Sequence, residues 1–149
     1  MNLLPRANTV VVLSVSPIDA DHIFLEDVLN NSNCTLCPDS KWTLYRSRTF
    51  ASALNILSKS IIPIVVYECD SIPGRWKEML AQLALLTNPP FLILTSRLAD
   101  EYLWAEALNL GAYDVLVKPF DSKEVGRICC LAWLHWEDRT SRPGRVERQ

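Results

Sequence analysis

Two acidic side chains, Glu68 and Asp70, follow the seven-residue apolar run Ile61–Tyr67. The run is short, rich in Ile and Val, and closed by the turn residues Ser71-Ile72-Pro73-Gly74. That is the pattern of a fully buried strand in a parallel sheet. A carboxylate at the carboxyl end of such a strand stands in the crevice where open α/β sheets place their chemistry. A second charged group, Lys118, ends another apolar run and precedes Pro119. Taken alone, a lysine before a loop proline is ordinary surface chemistry. Cys34-Thr-Leu-Cys37 has the spacing of a redox pair or of half a zinc site. It lacks the strand-helix placement of a thioredoxin motif, and His22 and His135 stand alone, so two loop thiols are the simpler reading. No metal site is expected.

The elements that must hold these groups alternate along the chain. Thr9–Val15 reads as a buried strand, and Ser16-Pro17-Ile18-Asp19 turns out of it. A helix follows over about 20–30, with Asp19 as N-cap and Ile23, Phe24, Asp27 and Val28 on its mixed face. Residues 31–41 form a long polar loop. Trp42–Arg46 is a short edge strand, and Thr49 caps a helix over 50–59. The central run and turn lead into a helix over about 75–86. Phe91–Thr95 is the fourth strand, and the helix over 99–110 is closed by Gly111. Tyr113–Val117 is the fifth strand. Asp121 or Ser122 caps a last helix running to about Trp136, and the arginine-rich residues 139–149 read as a disordered tail after a domain spanning 1–138. Five strands alternating with five helices give an α/β fold, a three-layer doubly wound sandwich.

Composition bounds the partners. With 149 residues, 49% of them hydrophobic, the chain is one globular domain. A net charge of −2 gives no reason to expect nucleic acid, and no apolar run approaches the ~20 residues of a membrane span. An odd number of cysteines, five, fits a reducing cytoplasm. Cys129 and Cys130 sit in an apolar helix and read as packing residues.

The second half resembles the receiver domain of bacterial response regulators. The residues that carry the resemblance are Phe91-Leu-Ile-Leu-Thr95-Ser96, the helix ending in Leu110-Gly111-Ala112, and Tyr113-Asp-Val-Leu-Val-Lys118-Pro119-Phe120. The resemblance covers about residues 9–136. It implies a flavodoxin-like five-stranded parallel sheet of order 2-1-3-4-5 and a cis peptide before Pro119. It also implies a phosphate-accepting Asp at the third strand tip and a divalent metal held by an acidic pair after the first strand. Thr95 and Lys118 would bind the phosphoryl oxygens. The new charge would bias a partner-docking face on the fourth and fifth helices.

The sequence departs from that pattern. Ser16 and Pro17 stand where the acidic pair belongs, and Asp19 and Asp21, further on, are expected to point elsewhere. Glu68 stands at the phosphoacceptor position by gapless alignment from Trp76. Cys69 stands there if the count runs back from Pro73, and Asp70 is the fallback acid. Val115 replaces the aromatic switch residue three before the lysine. Glu68 is therefore read either as a solvated acid or as a fixed charge that pairs with Lys118 and imitates part of a phosphorylated state. Trp104, Trp133 and Trp136 are read as an aromatic docking patch. The resulting expectation is an atypical pseudo-receiver in two-component or phosphorelay signalling, non-enzymatic, cytoplasmic and without cofactor. Its partner would be a histidine kinase or a downstream signalling protein, with a homodimer as a further form. The rivals are a conventional receiver phosphorylated at Asp70 and a small flavodoxin-like enzyme or cofactor carrier. The last is disfavoured because Ser16-Pro17-Ile18-Asp19 lacks a phosphate-cradling composition.

Overall fold

The computed structural model describes residues 8–31, 37 and 40–141. Its ten elements alternate: β1 (Asn8–Val15), α1 (Asp19–Asn30), β2 (Ser40–Ser47), α2 (Phe50–Lys59), β3 (Ile64–Glu68), α3 (Arg75–Ala84), β4 (Phe91–Ser96), α4 (Glu101–Leu110), β5 (Asp114–Val117) and α5 (Ser122–Thr140). The strands form one sheet in the order β2-β1-β3-β4-β5, and every neighbouring pair is parallel. This is the doubly wound flavodoxin-like arrangement, with β2 at an edge as the sequence suggested.

Alternation along the strands divides the core in two. Val10, Val12, Ile64, Val66, Ile93 and Leu116 pack against α1 and α5. Leu13, Val65, Tyr67, Leu92, Leu94 and Val115 pack against α2, α3 and α4. The central strands are covered on both faces, which is why their sequences are continuous apolar runs rather than alternating ones.

Local chemistry sets most element ends. Thr49 accepts the Ser52 backbone N–H, and Asp100 and Asp121 cap α4 and α5 in the same way. Gly111 ends α4 at φ 111°, a left-handed conformation that costs glycine nothing. Four expectations need correction. Pro63 has no N–H to give a ladder, so β3 starts at Ile64 and Ile61 is left exposed. Asp19 is the first helical residue rather than the cap; Ile18 is the N-cap, and Asp19 pairs with Arg48. Helix α1 buries Asp21, His22, Leu25 and Leu29 and packs Phe24 and Val28 partly buried against the same core, as expected, while Ile23 is exposed. Finally, α5 continues through Asp138 to Thr140, because Trp136 and Arg139 both donate to the Pro89 carbonyl and Arg139 stacks on Phe91.

Candidate functional site

The carboxyl tips of β1, β3, β4 and β5 converge at one end of the sheet, where the sequence-derived site residues gather. The Lys118–Pro119 peptide is cis. Lys118 continues the alternation of β5 on the α1 side. There its ammonium donates to both oxygens of Asp21, at 3.0 and 3.2 Å. The two side chains are 8% and 10% exposed, so this is a buried ion pair. It overturns the expected Glu68–Lys118 contact. It also overturns the expectation that Asp21 points away: Asp21 shares the inward face of α1 with Leu25 and Leu29, four and eight residues on.

The turn after β1 is built around the same carboxylate. Ser16, standing where the resemblance implies an acid, donates its hydroxyl to Asp21 Oδ2 at 2.8 Å and accepts the Ile18 N–H at 3.0 Å. Pro17 beside it offers no side-chain ligand. His22 spans the turn from below: Nε2 lies 2.9 Å from the Ser16 carbonyl and Nδ1 lies 2.8 Å from the Ser14 hydroxyl. A carbonyl only accepts, so Nε2 carries the proton and Nδ1 accepts from Ser14. Burial pushes the His22 pKa below its ordinary value, outweighing the hydrogen bond to Ser16, which raises it. The imidazole is neutral and structural.

The acids at the β3 tip are engaged differently. Glu68 is buried and lies opposite Thr95 in the β3–β4 register. Its carboxylate folds over the following turn, accepting the Asp70 N–H at 3.0 Å and the Ser71 N–H at 3.2 Å. Asp70 reaches across to the β4–α4 loop, where it accepts the Ser96 hydroxyl at 2.5 Å and the Arg97 N–H at 2.8 Å. Thr95 therefore is not the hydroxyl that meets an acid. Ser96, one residue on and on the opposite face of the strand, does so. Alternation of β4 held that signal in the sequence. Cys69 lies in the α2–α4 side of the core and donates its thiol to the Thr95 carbonyl at 3.2 Å. Burial pushes its pKa up to about 11, so it stays a thiol. Val115 is buried in the same core.

This donor set does not suit a divalent cation. A hard metal needs several oxygens free to converge. Here Ser16 and Pro17 replace the acidic pair, Lys118 already neutralises Asp21, and Glu68 and Asp70 hold backbone amides. Among the described residues no three His, Cys, Asp or Glu side chains are grouped to hold a metal.

The aromatic patch divides. Trp133 is buried against α1 and the sheet, and it stacks on Trp136, which is tied to Pro89. Trp104 lies on α4, 40% exposed, on the same flank as Leu108 at 48%. The other flank of α4 is tied to α3 through Glu106 and Lys77, 2.6 Å apart. Trp104 and Leu108 therefore face the β5 edge, where Val117 is also exposed. Cys37, Cys69 and Cys129 are buried free thiols. Cys34 and residues 142–149 lie outside the described residues, so the Cys34–Cys37 motif and most of the tail do too. No described helix is long and apolar enough to cross a membrane.

No protein-family profile matches the sequence. No curated protein matches it either. Solved structures do. The signal receiver domain of an HD domain-containing protein from Pseudomonas fluorescens Pf-5 superposes with a TM-score of 0.75 at 22% identity, covering 95% of this chain and 99% of that one. A response regulator from Thermotoga maritima gives 0.71 at 14% identity, covering 83% and 97%. A response regulator receiver domain protein from Methanospirillum hungatei JF-1 gives 0.69 at 14%, covering 89% and 99%. The chain has the fold of the response-regulator receiver domains.

Proposed function

We propose that this protein is a non-enzymatic signalling module of the receiver type that binds a protein partner without being phosphorylated. The observation that carries this reading is the Lys118–Asp21 pair. In an ordinary receiver a lysine at this place waits for a phosphoryl oxygen. Here its ammonium is spent on a carboxylate of the same chain, with Ser16 completing that carboxylate's hydrogen bonds. Glu68 keeps the phosphoacceptor position by alignment but serves the turn that follows it. Extracting Lys118 would leave Asp21 buried and unpaired, at a cost of several kcal/mol. The pair thus supplies internally the charge balance that a metal and a phosphoryl group provide elsewhere. Partner binding falls to the exposed apolar flank of Trp104, Leu108 and Val117, the partner being a kinase, a downstream protein or a second copy.

A second reading keeps phosphorylation, at Asp70. It is favoured by one contact: Asp70 is the acid that meets a strand-tip hydroxyl, that of Ser96. Intact-mass spectrometry after acetyl phosphate and Mg²⁺, with beryllofluoride binding in parallel, separates the two. The first reading expects no adduct. A phosphoryl mass that disappears in Asp70→Asn establishes the second and overturns the first.

A further inference from the structure

A cavity of about 480 Å³ opens at the opposite end of the sheet from the crevice, between the ends of α2 and α3 and the starts of β3 and β4. Its volume lies within the ~300–1,000 Å³ of small-ligand sites. Leu57 and Ile62, both buried, line it together with Leu86 and Pro90. Ile61 also lines it and is 73% exposed. A β-branched side chain this open to water beside the apolar wall of the cavity has surface to gain from a ligand.

The side-chain charge lining the cavity is positive. Among the described residues Lys59 is the only ionisable one lining it, and no acid does. Among the described residues Lys59 forms no ion pair. Two helix C-termini end nearby, each carrying about half a negative charge spread over its last carbonyls. The full ammonium of Lys59 sits in the last turn of α2 and offsets the nearer of these. Ser58, Ser60, Thr87 and Asn88 are the polar residues lining the same cavity. One cation among polar residues, beside an apolar wall of Leu57, Ile61, Ile62, Leu86 and Pro90, suits an amphiphile with one anionic head.

We propose that this cavity binds an amphipathic monocarboxylate, its acyl chain on Leu57, Ile61, Ile62, Leu86 and Pro90 and its carboxylate at Lys59. The site is independent of the crevice and of the signalling reading. Decanoate, decanol and decylamine serve as probes against the full-length protein, followed by methyl NMR. Decanoate is expected to shift the Ile61, Ile62 and Leu86 methyl signals. Its affinity should rise about fourfold per methylene from hexanoate upward. Lys59→Glu should lower decanoate affinity at least tenfold and raise that of decylamine. Lys59 and Ile61 are exposed, so both Lys59→Glu and Ile61→Ser should keep the wild-type fold, read from the remaining methyl signals, and Ile61→Ser should weaken decanoate binding. The proposal is overturned if decanoate leaves these methyls unmoved at millimolar concentration. It is equally overturned if decanol or decylamine binds as tightly as decanoate, or if Lys59→Glu leaves the order of affinities unchanged.

Discussion

The two halves of the crevice hold their acids by different means. On the α1 side, Asp21 is bound by a lysine 97 residues away in the chain, so that carboxylate joins β1, α1 and β5. On the β3 side, Glu68 and Asp70 bind mostly backbone N–H groups of nearby turns. A buried ion pair is costly to split, because the survivor keeps its desolvation penalty. A carboxylate over a turn loses one or two modest hydrogen bonds when removed. The first arrangement locks the fold, and the second shapes a loop.

Substitutions sharpen that contrast. The largest effect is expected from Lys118→Met, which leaves Asp21 buried and unpaired. Urea unfolding should show a loss of about 3–5 kcal/mol, and the double variant Lys118→Met/Asp21→Asn should regain much of it. Asp70→Ala should cost about 1–3 kcal/mol, since the Ser96 hydroxyl and Arg97 N–H lose their acceptor. His22 adds a pH dependence. Its folded pKa lies below the unfolded value of about 6.5, so the unfolded chain takes up the proton first. Stability contributed by neutral His22 is present above that pH and is lost as pH falls toward the folded pKa. The slope should reach at most about 1.4 kcal/mol per pH unit and disappear in His22→Gln. Glu68→Gln should cost about 1 kcal/mol, because the amide oxygen can replace only one of the two carboxylate oxygens that accept from the turn. A loss matching that of Lys118→Met would place Glu68 in the ion pair after all.

Much of the frame was legible because it rests on local or periodic signals. The runs TVVVLSV and FLILT are short, rich in apolar residues and bounded by turn residues, which favours strands covered on both faces. Thr49 and Gly111 mark helix ends by their own chemistry. The site was less legible. Lysine carries its charge on a flexible four-carbon stem, and strand order places Lys118 near several acids without choosing among them. The choice was written in α1: Asp21 falls in register with Leu25 and Leu29, which buries it and makes a counter-charge obligatory. Reading Ile23, Phe24 and Val28 as the face hid this. Ser96 was missed for a related reason. Thr95 and Ser96 are neighbouring hydroxyls, and only the parity of β4 decides which one meets Asp70. The tryptophans misled because aromatic residues serve cores and surfaces alike; burial separates Trp133 from Trp104.

Which acid Lys118 holds is measured directly by a pair of double-mutant cycles. Cycles combining Lys118→Met with Asp21→Asn, and Lys118→Met with Glu68→Gln, are read by urea unfolding at neutral pH. A coupling of about 2–3 kcal/mol is expected for Lys118 with Asp21, and one within about 0.5 kcal/mol of zero for Lys118 with Glu68. The reverse order of couplings would contradict the Lys118–Asp21 pairing.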